Sequence, residues 1–492
     1  MFVQAMEKEN NWKKTENEAD ALKSSTNDLL DLFATIGALR TRQDYDVEQL
    51  FSKAFFVDRL LATKMSFYAR NIRGGLGERR VPKVIWRLMA KLYPDIMVKN
   101  LHLIPEFGRW DDLYVFVGTS LEQDAFKIIS LQWESDWMNL LENNSISLMA
   151  KWLKSVNTSS KESVKLGKLT AKYLGLKDGD YRKKLSKLRK HIDVVEKKMS
   201  ANQWATINYS GVPSKAMNNY RKAFQKHDPD GFSAYMEKVS SGEAKIHSGT
   251  LYPYDIVEKV MGGEYNNVLE EQWKALPNYV EGENNFLIMA DVSGSMYGRP
   301  LATSVGLAIY FAERNKGIFS NVFMTFSAEP DFVRLKGNTL YEKVKNAENA
   351  SWDMNTDIEK AFKKILDAAV NNKIPQEEMP KALIIISDME FDMCTRSGYM
   401  RGRMADINTD RKTYFAHMKE MYSENGYELP KCIFWNVDAR ENTFHAELKD
   451  NIQFASGQST SVFKSLIANA DLGAYELMIE TLNDPMYEAI KI

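Results

Sequence analysis

Apolar residues recur at three- and four-residue steps from Leu29 to about residue 270, as in NDLLDLFATIGALR (27–40) and VEQLFSKAFFVDRLLATKMSFYAR (47–70). That spacing predicts amphipathic helices. Glycine- and proline-bearing turn signals separate them, at RGGLGE (73–78), IPEFGRWDD (104–112) and GLKDGD (175–180). Alternating strand patterns are scarce and no fixed repeat length emerges, so residues 29–282 read as an irregular all-helical domain. Residues 1–28 are polar and are expected to form a flexible segment.

The pattern changes at residue 283. Short continuous apolar runs, FLIMAD (286–291), SNVFMTFS (320–327), ALIIISD (382–388), CIFWNVD (432–438) and IQFA (452–455), alternate with helical stretches at 300–315, 358–370, 411–423 and 460–470. A further short strand is expected at DFVRL (331–335). Buried strands alternating with amphipathic helices predict a doubly wound, mostly parallel sheet covered on both faces. The fold class is therefore α plus α/β multidomain, with an α/β domain at 283–472 and a helical tail at 473–492.

Composition sharpens this little. The 492 residues are 44% hydrophobic, enough for more than one core. Two cysteines exclude a disulfide scaffold and any four-thiolate metal site. No apolar run reaches membrane-spanning length and the start has no signal-peptide core, so a cytoplasmic protein with no membrane partner is expected.

Two predicted strands end in aspartate, Asp291 and Asp388. In open α/β sheets, ligands bind outside the carboxyl ends of strands. The first strand continues Asp291-Val292-Ser293-Gly294-Ser295-Met296, and Thr356 lies in a third loop before the 358–370 helix. Two carboxylates and three hydroxyls make an all-oxygen set suited to Mg²⁺ or Mn²⁺ rather than zinc. DxSxS after a strand, a later loop Thr and an Asp after another strand resemble the metal-ion-dependent adhesion site of von Willebrand factor A domains. The resemblance implies Asp291, Ser293, Ser295, Thr356 and Asp388 around a metal, with one coordination position left for an acidic group of a partner. The sequence departs from that pattern at Met389, where the family commonly has glycine.

Catalytic motifs are not apparent. Ser293 stands where a haloacid-dehalogenase-type phosphatase needs a second aspartate. DVSGSM lacks the G-x-S-x-G elbow, and no GxxxxGK[ST] occurs. The six histidines fall outside the constellation in sequence. A non-enzymatic protein is expected; a metal-dependent nuclease or phosphatase is a remote alternative without a visible general base.

The net charge of −1 conceals a segregation. Residues 151–226 carry 19 Lys and Arg against five acids, a local +14 that leaves −15 elsewhere. YRKKLSKLRKHIDVVEKKMS (181–200) predicts one amphipathic helix with Tyr181, Leu185, Leu188, Ile192, Val195 and Met199 on one face. Lys183, Lys187, Lys190 and Lys197 lie opposite. A cation stripe of this kind is either a solvated face or the footprint of phosphate-backbone binding. Arg70, Arg73, Arg79 and Arg80 cluster around the glycine-rich turn YARNIRGGLGERR. They read either as phosphate ligands or as partners of Glu78 and Asp111 in a helix–helix turn.

ARNIRGGLGERR, LIPEFGRWDDL, KWLKSVNTSS, YRKKLSKLR, VVEKKMS, W-x-x-INY and VPSKA together resemble the Ro-type RNA-binding proteins. Those join a TROVE module of irregular HEAT-like helical repeats, in a ring or arc, to a C-terminal von Willebrand A domain. Within that group the chain resembles a branch found in plants, bacteria, phages and large viruses. The resemblance implies RNA as partner, as small structured non-coding RNA or RNA ends, in a ribonucleoprotein. A protein-interaction adaptor that grips an acidic partner residue through the A-domain metal is the alternative.

Overall fold

In a computed structural model, residues 11–17, 19–192, 194–280, 285–326, 330–349, 358–391, 414–446, 452–469 and 471–492 are described. The expected fold class is observed: a long helical region, then an α/β sheet. The chain divides into two compact units, one of Met1–Asp58 with Leu251–Asn483, the other of Arg59–Thr250 with Asp484–Ile492.

The first unit holds a six-stranded sheet. Its strands are β3 (Phe286–Asp291), β4 (Val322–Phe326), β5 (Asp331–Arg334), β6 (Ala382–Ser387), β7 (Lys431–Asn436) and β8 (Ile452–Ser456), in the order β5-β4-β3-β6-β7-β8. Only β5 runs antiparallel, at one edge. The strands β3, β6, β7 and β8 are buried along almost their whole length, as their unbroken apolar runs require. Chain order reverses between β3 and β6, the topological switch point of the sheet. The Arg299–Arg314 helix covers β3, stacking Phe311 on Phe463 with centroids 4.1 Å apart.

Four described helices from before residue 283 belong to this unit: Asp28–Thr35, Asp44–Val57, Pro253–Met261 and Asn267–Lys274. The Asp28–Thr35 helix, capped by the Asn27 side chain on Leu29 N and Leu30 N, packs on β8. A Cβ on Gly37 would come within 2.7 Å of the Ser456 carbonyl carbon, so glycine permits that approach. The Pro253–Met261 helix packs along Arg299–Arg314. The expectation of a flexible segment over residues 1–28 needs correction where it is described, at 11–17 and 19–28; residues 1–10 and 18 lie outside the described residues. Two short strands, β1 (Trp12–Lys14) and β2 (Asp20–Leu22), form a hairpin that buries Ala19, Ala21 and Leu22 and pairs Leu22 with Phe444. These buried side chains are small and few, which is why the segment reads as polar.

The second unit is a succession of irregular helices. Among them are Arg59–Arg70, Arg80–Leu92, Glu122–Leu141, Met149–Trp152, Lys161–Tyr173 and Asp178–Ile192. The last residues of the chain complete its core. Tyr487 stacks on Phe107 at 5.6 Å and accepts a hydrogen bond from Asn71 Nδ2 at 3.0 Å. Residues 181–200 are not one helix: the first helix stops at Ile192 and another runs Val195–Ser200. Val194 is extended, within a run of β-branched residues and Asp193 that all have weak helix propensity. Tyr181, Leu185, Leu188 and Val195 are buried as expected, whereas Ile192 and Met199 are only half-buried.

Candidate metal centre and candidate nucleic-acid interface

Asp291 ends β3 and Asp388 follows β6, so the switch point places two carboxylates side by side at the carboxyl end of the sheet. After β3 the chain turns sharply. Ser293 N donates to Asp291 Oδ1 at 2.9 Å, and the Ser293 and Ser295 hydroxyls lie 3.1 Å apart. Ser387 Oγ donates to Asp291 Oδ2 at 2.5 Å. Both carboxylates are buried, and burial combined with the charge of Asp388 pushes the Asp291 pKa up to about 7. Burial likewise raises Asp388, partly offset by the neighbouring Ser295 hydroxyl and the Glu390 N–H. Among the described residues, Asp388 Oδ2 accepts no hydrogen bond although it is buried. Asp291, Ser293, Ser295 and Asp388 are thus brought together; Thr356 lies outside the described residues. Two buried carboxylates, faced by the Arg440 guanidinium 3.8 Å from Asp388 Oδ2, with hydroxyls beside them and a carboxylate oxygen that lacks a hydrogen bond among the described residues, fit a hard divalent cation.

Met389, standing where the resembled family commonly has glycine, adopts φ +68°, the left-handed region. Ser387 Oγ accepts from its N–H at 3.0 Å, and its carbonyl meets His445 Nε2 at 2.7 Å. The loop geometry a glycine would take is therefore imposed on methionine by its neighbours. Several residues around the centre escape sequence reasoning. Arg440, in the segment after β7, donates to the Ser295 carbonyl and holds Nη2 3.8 Å from Asp388 Oδ2. Glu390 is buried, accepting from Thr443 Oγ1 at 2.7 Å and from Glu16 N at 2.9 Å. His445, expected to stand apart from the constellation, backs it through Met389. No signal short of the folded topology connects Arg440 and His445 to Asp388, whereas Glu390 stands two residues beyond it and only its burial escapes the sequence.

In the helical unit, the glycine-rich turn is first a structural device. Asn71 Oδ1 accepts from Arg73 N and Gly74 N, and a Cβ on Gly75 would sit 2.2 Å from the Tyr68 carbonyl oxygen. Arg70 is a correction: it is buried, with Nε 2.7 Å from Asp112 Oδ2, and does not face a ligand. It closes the last turn of a helix whose inner face is core, so the phase that buries Phe67 also buries Arg70. Arg73 and Arg79 are exposed and Arg80 is half-buried; Arg73 donates to the Glu106 carbonyl at 2.8 Å. Asp111 is taken by Arg109 and Lys154.

The Asp178–Ile192 helix presents Arg182, Lys183, Lys187 and Lys190 outward. Among the described residues their side chains make no ion pair or hydrogen bond. Lys197 leaves this stripe because the helix breaks, and its Nζ turns to the Lys190 carbonyl at 3.4 Å.

Comparison with known proteins matches residues 15–135 and 144–284 to a family model described as Domain of unknown function (DUF2828), and residues 285–487 to Domain of unknown function (DUF7788). The uncharacterized protein L728 of Acanthamoeba polyphaga mimivirus is 26% identical over 512 residues, covering 95% of this chain and 86% of that protein. The crystal structure of Deinococcus radiodurans Ro (RSR) protein aligns with a TM-score of 0.45 at 14% identity, over 93% of this chain and 99% of that one.

Proposed function

The chain belongs to the family described as Domain of unknown function (DUF2828), a membership that assigns no activity, and we propose that it is a non-enzymatic RNA-binding protein. The reading rests on one observation above others: a row of cations on the Asp178–Ile192 helix without acidic partners among the described residues. Lysines spaced four and three residues apart repel one another on a single helix face, and a phosphate backbone relieves that repulsion. The partner proposed is small structured non-coding RNA or RNA ends, bound in the cytoplasm. Arg73 and Arg79 are a second, exposed pair of candidate contacts.

The A-type domain is proposed to bind Mg²⁺ or Mn²⁺ through Asp291, Ser293, Ser295 and Asp388, with Thr356 completing the set as the resemblance implies. The cation would neutralise the paired carboxylates and offer a coordination position to an acidic group, so an acidic protein partner at this centre is compatible with RNA binding elsewhere.

Purified protein is expected to carry nuclease-sensitive ultraviolet absorbance, lost when Lys183, Lys187 and Lys190 are all changed to Glu. Protein free of nucleic acid from its native host contradicts the RNA reading and leaves the adaptor. For the metal, Mg²⁺ is expected to raise the Tm of the wild type and not that of Asp388→Asn. An equal response of both proteins removes the metal from the account.

A further inference from the structure

The cation row borders a cleft of about 760 Å³ in the helical unit, within the range of ligand pockets. One wall is the Asp178–Ile192 helix with Lys183, Lys184 and Lys187; the other is the 155–157 loop with Ser155 and Asn157. Trp137, half-exposed, also lines the cleft, with Lys184 Nζ over one face of its ring, 4.9 Å from the centroid, and Asp180 adds one carboxylate to the lining.

Both walls are fixed from behind. Arg189 donates through Nε to the Ala150 carbonyl at 2.9 Å and through Nη2 to the Leu153 carbonyl at 2.6 Å, joining the cation-bearing helix to the end of Met149–Trp152. Tyr181 Oη donates to the Lys154 carbonyl at 2.8 Å, and Lys154 N donates to Tyr114 Oη at 3.2 Å. Gly167 lets the Lys161–Tyr173 helix press on this loop, since a Cβ there would come within 2.7 Å of the Ser155 carbonyl carbon. Such anchoring means little ordering is required when a ligand enters.

We propose that this cleft recognises an unpaired nucleotide of single-stranded RNA, stacking its base on Trp137 while Arg182, Lys183 and Lys187 take the flanking phosphates. The proposal rests on the RNA reading above and names the part of the RNA that the basic face selects. Any polyanion satisfies the cations, but only a ligand carrying both a flat π face and phosphates uses the indole beside them. A base inside a duplex keeps its face covered by its stacked neighbours, so an unpaired nucleotide is selected. Ser155 Oγ donates to Asn157 Oδ1 at 2.9 Å, which leaves the Ser155 oxygen as acceptor and the Asn157 amide N–H groups as donors for a ribose or base edge. An acidic peptide would meet the charge and leave the indole unused.

The test measures fluorescence polarisation of the full-length protein with a single-stranded oligoadenylate, an RNA duplex, heparin and polyglutamate. Trp137→Ala is expected to weaken oligoadenylate about tenfold and to leave heparin and duplex unchanged, while Trp137→Phe retains most of the affinity. Equal loss for oligoadenylate and heparin, or no loss for either, overturns the cleft assignment. Polyglutamate bound more tightly than oligoadenylate overturns it in favour of an acidic peptide. If all three RNA and heparin ligands bind the Lys183, Lys187 and Lys190 triple Glu variant as tightly as wild type, the RNA reading itself falls, a separate outcome.

Discussion

At single positions, burial decides what charge can do. Arg70 and Lys183 have the same sign, yet one is sealed against Asp112 and the other is open to a ligand. Sequence reasoning treats the arginines of the glycine-rich turn alike because spacing gives no depth. The aspartates at the strand ends were legible, since strand runs ending in a carboxylate locate themselves. Arg440 was not, because its approach depends on how the segment after Lys431–Asn436 folds over the site. His445 carries a pH consequence. Burial pushes its pKa down to about 4, with the Met389 carbonyl offsetting only part of the shift. The unfolded chain takes up this proton near pH 6.5 and the folded one near 4, so the contribution is whole above about 6.5 and is lost as pH falls through that window. Denaturant titrations of His445→Gln against wild type should show the wild type losing up to about 3 kcal/mol more between those limits. Parallel curves would mean that the histidine is not buried neutral.

Elements were legible where a long period or an unbroken run repeats, and less so where a few residues decide. The apolar strand runs need cover on both faces and were found so. The 340–348 helix was missed because its apolar face is only Leu340, Val344 and Ala347. The break at Val194 was missed because the hydrophobic phase carries through a stretch of low helix propensity. At the junction of Arg59–Arg70 with the following turn, Asp112 accepts from Arg70 Nε and from Arg109 N at 3.0 Å, and lies 2.8 Å from Lys83 Nζ. Removing the carboxylate leaves a buried guanidinium uncompensated. Asp112→Ala should therefore cost about 3–5 kcal/mol in urea unfolding, against little for Arg70→Met combined with Asp112→Leu. A loss below about 1 kcal/mol for the single variant would show that solvent reaches Arg70.

For the whole molecule, near-neutral net charge is an average over unlike surfaces: a local +14 at residues 151–226 within an otherwise acidic chain. The change of pattern near residue 283 marks where the sheet begins, but the sheet's own unit recruits helices from both sides of it. Helical periodicity says which face a helix buries and is silent on what it buries that face against, so these assignments were not legible. The central claim is that phosphate contacts on one helix face capture RNA. Its most direct test is the salt dependence of RNA affinity for wild type and for the triple variant with Lys183, Lys187 and Lys190 changed to Glu. Each lost contact to a single strand should flatten the log–log slope by about 0.7, so the variant should bind weakly with a slope shallower by about 2. An unchanged affinity and slope in the variant would contradict the account.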